Sequence, residues 1–210
     1  MLRRLIRPGL GALRRGFCVA TPNPGPRFPS TILCEADILN EDYAEMVPQF
    51  AEVRTEAHAI EAVRAWGHQL NDEMIVHLTN ALVDRRTRIG PAFVKHVCPA
   101  ISHILGLMTK DNSLNFGIII HNLALLEIPD ESLWQSISTV FERQRMEKYI
   151  PLVLLSKTVV NLLTWERPPT NLLARLTPEL EKHKAGLPIE ELQILQSALY
   201  SAPKAPEINP

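Results

Sequence analysis

Histidines, cysteines and clustered cations are the side chains in this chain with chemistry to offer. His96, Cys98 and His103 fall close together, which raises the question of a metal site. Zinc needs three or four donors converging on one point. An H-x-C pair on a helix sends its two donors to different faces. Cys18 and Cys34 are isolated and complete no ligand spacing. His121 stands inside the apolar run GIIIHNLALLEIP and reads as a buried or groove histidine held by a hydrogen bond. No metal and no cofactor is expected.

Catalytic patterns fare no better. The sequence holds no glycine-rich phosphate loop, no G-x-S-x-G and no H-E-x-x-H. The carboxylate pairs Asp130/Glu131 and Glu190/Glu191 follow proline-containing turns. A helix start accounts for them, because an acidic side chain there complements the dipole by roughly 0.3–1 kcal/mol. The expectation is a protein that is not an enzyme.

Three basic groups are the candidate binding residues. Arg85, Arg86 and Arg88 lie in a loop; Arg143, Arg145 and Lys148 end one helix; Arg175, Lys182 and Lys184 sit in a later one. If the two helices superpose, Arg143/Lys182 and Arg145/Lys184 form a basic ridge able to meet phosphate or RNA. Cations at helix C-termini also complement the dipole, and Glu142 and Glu181 offset them, so both readings stand.

Charge narrows the partners. The chain of 210 residues carries net charge −1, but residues 1–29 contribute six arginines and no acid. Leu2, Leu5, Ile6, Leu10 and Leu13 can share one helical face with arginines opposite. An arginine-rich, acid-free amphipathic start is the signature of a mitochondrial transit peptide, which places the protein in the mitochondrion, in the matrix. The body that remains is near −7, unlike a general nucleic-acid binder with its basic stripe. Residues 30–54 form an acidic lead segment and linker, with a short helix expected between Asn40 and Met46. The most apolar run is short and is interrupted by His121 and Asn122, so no transmembrane segment is expected.

The elements that must position these groups are helices. Asn71 caps a helix carrying Met74, Ile75, Leu78 and Leu82 on its buried face. Pro99 should kink or divide the helix that begins at Pro91. Further helices are expected over 114–126, 130–148, 152–165, 171–184 and 189–201. Residues 202–210 form a disordered tail. Trp134 and Trp165 are expected in the core or in hairpin packing.

A repeat runs through residues 55–201. The stretches NLALLEIPDESL and NLLTWERPPTNL align 39 residues apart, matching Asn122/Asn161, Leu123/Leu162, Glu127/Glu166, Pro129/Pro168 and Leu133/Leu172. Asn80 precedes Asn122 by 42 residues as a weaker copy. A period near 39 with two helices per unit marks an all-α fold, a short α-solenoid of antiparallel helical hairpins.

A transit peptide, this period and helix pairs bearing N-L-A-L-L or N-L-L resemble the organellar helical-repeat families. The octotricopeptide and heptatricopeptide repeat proteins, and the helical region of FAST-kinase-like proteins, are similar over about residues 71–201. The resemblance implies organellar RNA metabolism. Departures are the short, acidic chain and the absence of a RAP-type domain at its C-terminal end, which favour protein contacts over autonomous RNA binding. The expected function is a helical-repeat adaptor or scaffold in a mitochondrial ribonucleoprotein machine: the mitoribosome, its assembly, or RNA processing or editing. Its partners would be other proteins of that complex, with RNA contacted indirectly. The competing expectation is a lineage-specific structural subunit of a respiratory or ATP-synthase complex without RNA contact.

Overall fold

A computed structural model describes residues 49–67 and 69–201. The presequence over 1–29, the acidic residues 30–48 with their expected Asn40–Met46 helix, and the tail over 202–210 lie outside the described residues. Among those described, all regular structure is helical.

Local chemistry sets the helix boundaries. α1 (Glu56–Trp66) starts at Thr55, whose hydroxyl accepts from the His58 amide. α2 (Asp72–Asp84) starts at Asn71, whose side-chain oxygen accepts from the Met74 amide at 2.9 Å. Pro99 does divide its segment, into α3 (Pro91–His96) and α4 (Cys98–Leu107), which meet at Val97. α5 (Ser113–Leu125) holds the apolar GIII run and α6 (Glu131–Gln144) is capped by Asp130. α7 (Leu152–Leu163), α8 (Thr170–His183) and α9 (Ile189–Ser201) complete the order.

The helices pack in two rows. In the first, α2 lies against α5, α5 against α7 and α7 against α9. In the second, α4 lies against α6 and α6 against α8. Side-chain bonds fix the direction within each row. Asn115 Nδ2 donates to Asp72 Oδ2 at 2.8 Å, and Asn122 Nδ2 donates to Asn80 Oδ1 at 2.8 Å, so α2 and α5 run parallel. Asn171 meets Gln135 at 3.4 Å and Arg175 meets the Phe141 carbonyl at 2.9 Å, so α6 and α8 do likewise.

The core lies between the rows. Phe116 of α5 meets Phe141 of α6 edge-on, with centroids 5.3 Å apart. Packing begins ahead of α1, because Phe50 and Val53 are buried. The expected faces hold: Met74, Ile75, Leu78 and Leu82 are all buried. No described helix is long and apolar enough to cross a membrane.

Two helix ends share one device. After α2, the Thr87 amide bonds Leu82 O and the Arg86 amide bonds Val83 O; after α5, the Ile128 amide bonds Leu123 O and the Glu127 amide bonds Ala124 O. Both are Schellman turns, and both place a non-glycine residue in left-handed backbone, Arg86 at φ 50° and Glu127 at φ 50°. The turn drops Thr87 and Ile128 back onto the helix and redirects the chain. A third left-handed residue, Arg145 at φ 52°, ends α6. It stops that helix ahead of the expected Lys148 and returns Met146 to full burial.

Candidate functional site

The first-row helices form the wall of a groove of about 930 Å³. Asn80 and Asp84 come from α2, His121 and Asn122 from α5, Lys157 and Asn161 from α7, and Glu191 and Ile194 from α9. Arg86, Thr87 and Arg88 supply one rim. Asn122 is buried and bridges two helices, donating to Asn80 Oδ1 and, at 3.1 Å, to Thr79 Oγ1. Lys157 pairs with Glu191 at 3.3 Å. Leu125 and Ile194 are 45% and 51% exposed in the groove. A half-apolar trough with polar groups already bridged to one another suits a polypeptide surface better than a small polar substrate.

His121 titrates far from its ordinary value. Burial first, then the positive charge of Lys157, push its pKa down to about 4, so the imidazole is neutral at physiological pH. Cys98 is held protonated by the opposite logic. Burial first, then the charge of Asp130 and its hydrogen bond, raise the thiol to about 12, which removes it as a nucleophile or ready ligand. Cys98 is buried while His103 is exposed. Among the described residues no group of three His, Cys, Asp or Glu side chains converges as a metal site would require.

The basic candidates separate into two places. Arg86 and Arg88 rim the groove, and Arg85 is exposed beside them. Arg143, Arg145, Lys148, Lys182 and Lys184 gather at the C-terminal ends of α6 and α8, which the parallel packing sets side by side, and Arg175 lies mid-way along α8. Arg145, Lys148, Lys182 and Lys184 are exposed there. Lys184 pairs with Glu181 at 3.0 Å, and Lys182 approaches Glu179 at 3.9 Å. Arg143 and Arg175 have internal work. Arg143 donates to the Gly106 carbonyl at the end of α4. Arg175 donates to the Phe141 carbonyl in α6 and pairs with Glu147 at 3.0 Å. Each reaches a carbonyl in the last turn of the preceding helix of its row and so ties the two helices together; the Phe141 carbonyl also accepts from the Arg145 amide.

Sequence reasoning left out the groove set, Asn80, Lys157 and Glu191. The aligned asparagines carried a signal, because a polar residue recurring inside apolar helices needs a partner on its neighbour. The Lys157–Glu191 pair joins separate helices and had no local mark.

The loops joining α5 to α6 and α7 to α8 build the edge at the N-terminal ends of α6 and α8, away from the exposed cations at their C-terminal ends. A second groove, about 640 Å³, lies between residues 127–138 and 164–171. Trp134 and Trp165 meet edge-on at 5.3 Å. Their indole N–H groups donate to the Ile128 and Ala124 carbonyls at 2.9 and 3.1 Å. Both tryptophans therefore serve hairpin packing. Compared with known proteins, the chain matches no family model and no curated protein sequence.

Proposed function

We propose that the protein is a short α-solenoid of about 39-residue helical hairpins, acting as a non-enzymatic adaptor in a mitochondrial ribonucleoprotein machine. The observation that carries this reading is the stacking of α2, α5, α7 and α9 in one row and of α4, α6 and α8 in a second, with α2 parallel to α5 and α6 parallel to α8. Equivalent helices lean on one another through the Asn122–Asn80 bond, and Schellman turns recur after α2 and α5. A hairpin alone exposes one apolar face; stacking buries it and leaves long edges for partners. The arginine-rich, acid-free residues 1–29 support delivery to the mitochondrial matrix.

Contacts to other proteins dominate in this reading. The body is acidic, and two of the candidate arginines, Arg143 and Arg175, are engaged with helix-end carbonyls. Arg145, Lys148, Lys182 and Lys184 add phosphate contacts at the margin. The test reverses Arg143, Arg145, Lys182 and Lys184 to Glu in the full chain and follows sedimentation with RNA-containing particles. Thermal melts check that the variant still folds. Weakened cofractionation supports phosphate contact by the ridge; unchanged cofractionation reduces it to helix-end electrostatics. Separately, binding of the wild-type protein to free RNA at micromolar concentration, falling steeply with salt, would replace the adaptor by an independent RNA binder.

A further inference from the structure

α9 ends the first row with one face packed and the other bare. On the inner face Leu195 is buried, Leu192 and Leu199 pack against the core, and Glu191 pairs with Lys157 of α7. On the outer face Ile189, Gln193, Gln196 and Tyr200 recur at helical spacing and form one stripe along the helix. Ile189 is 76% and Tyr200 90% exposed, and both glutamines are exposed. The second row ends otherwise. α8 exposes Asn171, Ala174, Pro178, Glu181 and Lys182 and no large apolar side chain, the polar face that the end of a stack needs in water. The charges of α9 are Glu190 and Glu191 alone, and Glu191 is turned to Lys157, so the outer stripe is neutral.

That stripe is its own complement. The midpoint between Gln193 and Gln196 is also the midpoint between Ile189 and Tyr200. A two-fold axis through it lays a second α9 antiparallel on the first. Ile189 then meets Tyr200 of the second copy, and Gln193 meets its Gln196. Apolar contacts close the two ends, and the amides face each other between them. A carboxamide both donates and accepts, so identical glutamines can bond across a two-fold; like charges could not. Glu190 is no obstacle, because its two copies lie about 13 Å apart along the axis, beyond a Debye length of about 8 Å. A parallel pairing would set them side by side and align the helix dipoles.

We propose that two copies of this chain associate through α9 as a two-fold symmetric dimer, with the two helices antiparallel and Ile189, Gln193, Gln196 and Tyr200 at the contact. The interface continues the row: as α9 covers α7, a second α9 covers the first. The same patch serves both copies, so the assembly closes at two. A helix of 13 residues offers a face of about 20 by 10 Å. That is less than the ~800 Å² per partner of a standard stable interface, so the dimer is weak, half-formed at about 10–100 μM. The inference goes beyond the adaptor reading and does not rest on it.

Sedimentation equilibrium of the full chain, over about 1–500 μM, tests the proposal. The expected result is a mass that rises with concentration from one chain toward two. Gln193→Lys/Gln196→Lys sets lysine against lysine twice and should weaken association about tenfold, taking each exposed pair as worth two- to fivefold. Gln193→Glu/Gln196→Lys sets opposite charges together in the same register and should associate at least as tightly as the wild type. Both changes fall at exposed positions, and circular dichroism checks that the helices are kept. A wild type that stays monomeric at every concentration overturns the proposal and leaves the face to a helix of a different protein. Equal weakening by the two variants overturns the antiparallel register, and a mass that climbs past two chains overturns the two-fold. Any of these failures, with partners still recovered from mitochondria, would leave the adaptor reading standing.

Discussion

Gly117 shows how closely the first-row helices approach. A Cβ built there would meet Ile150 Cγ2 at 2.8 Å and Leu154 Cδ2 at 2.9 Å. At Gly106, near the end of α4, a Cβ would meet nothing within 4 Å. Gly→Ala in a helix ordinarily stabilises by about 0.5–1 kcal/mol. Gly106→Ala should gain close to the lower figure, as its position is almost terminal. In Gly117→Ala the same gain is opposed by overpacking, about 1–3 kcal/mol for one carbon forced into a filled core. The branched Ile150 has little freedom to retreat. The net expectation is destabilisation by about 1–2 kcal/mol, so the two variants should differ by roughly 2 kcal/mol, or about 4–8 °C in Tm for a chain of this length. Urea denaturation with circular dichroism measures it. Gly117→Ala/Leu154→Ala should recover part of the loss expected from summing the single changes, because it vacates one contact. Equal stabilisation by Gly106→Ala and Gly117→Ala would refute the close approach of α5 to α7.

Other outcomes follow from the same contacts. Asn122→Ala removes the bridge to Asn80 and Thr79 and should cost about 1–3 kcal/mol; a double-mutant cycle with Asn80→Ala should show coupling of about 0.5–1.5 kcal/mol, and strict additivity would break the bridge reading. Arg145→Gly should stabilise by up to about 1 kcal/mol in the same melts, by relieving a left-handed backbone at φ 52°; a loss would mean that the arginine side chain outweighs the strain. For His121, the folded pKa of about 4 lies below the ordinary 6.5, so the unfolded chain binds the proton more tightly. Its contribution is complete above pH 6.5 and fades as the pH falls toward 4, by about 1–2 kcal/mol at pH 5. Burial lowers His77 as well, in the same direction. His121→Gln should flatten that slope, and an unchanged slope would assign it elsewhere.

Local signals were legible in the sequence where their partners are close by. Asn71 and Asp130 cap helices through amides two or three residues away, and Pro99 breaks its own segment. Long-range signals were hidden. α3 has no side-chain cap of its own; Glu56 of α1 accepts from the Gly90 and Phe93 amides at 2.9 and 2.7 Å. Nothing near residue 90 announces a cap delivered by α1. The end of α6 was obscured for a different reason. RQRMEK contains neither glycine nor proline, and the helix stops because burial of Met146 outweighs the left-handed strain at Arg145. The arginine clusters were visible as charge, but the carbonyls that Arg143 and Arg175 reach belong to other helices. Of the site, the sequence revealed the composition of each edge and left their separation to the packing.

The adaptor reading stands or falls on the company the protein keeps. Affinity purification of the tagged full chain from mitochondria, with and without ribonuclease, measures this directly. The account predicts recovery of proteins from a ribonucleoprotein particle, with the immediate partners retained after ribonuclease because proteins hold them. Recovery of respiratory or ATP-synthase subunits alone, or absence of the chain from mitochondria, would contradict it.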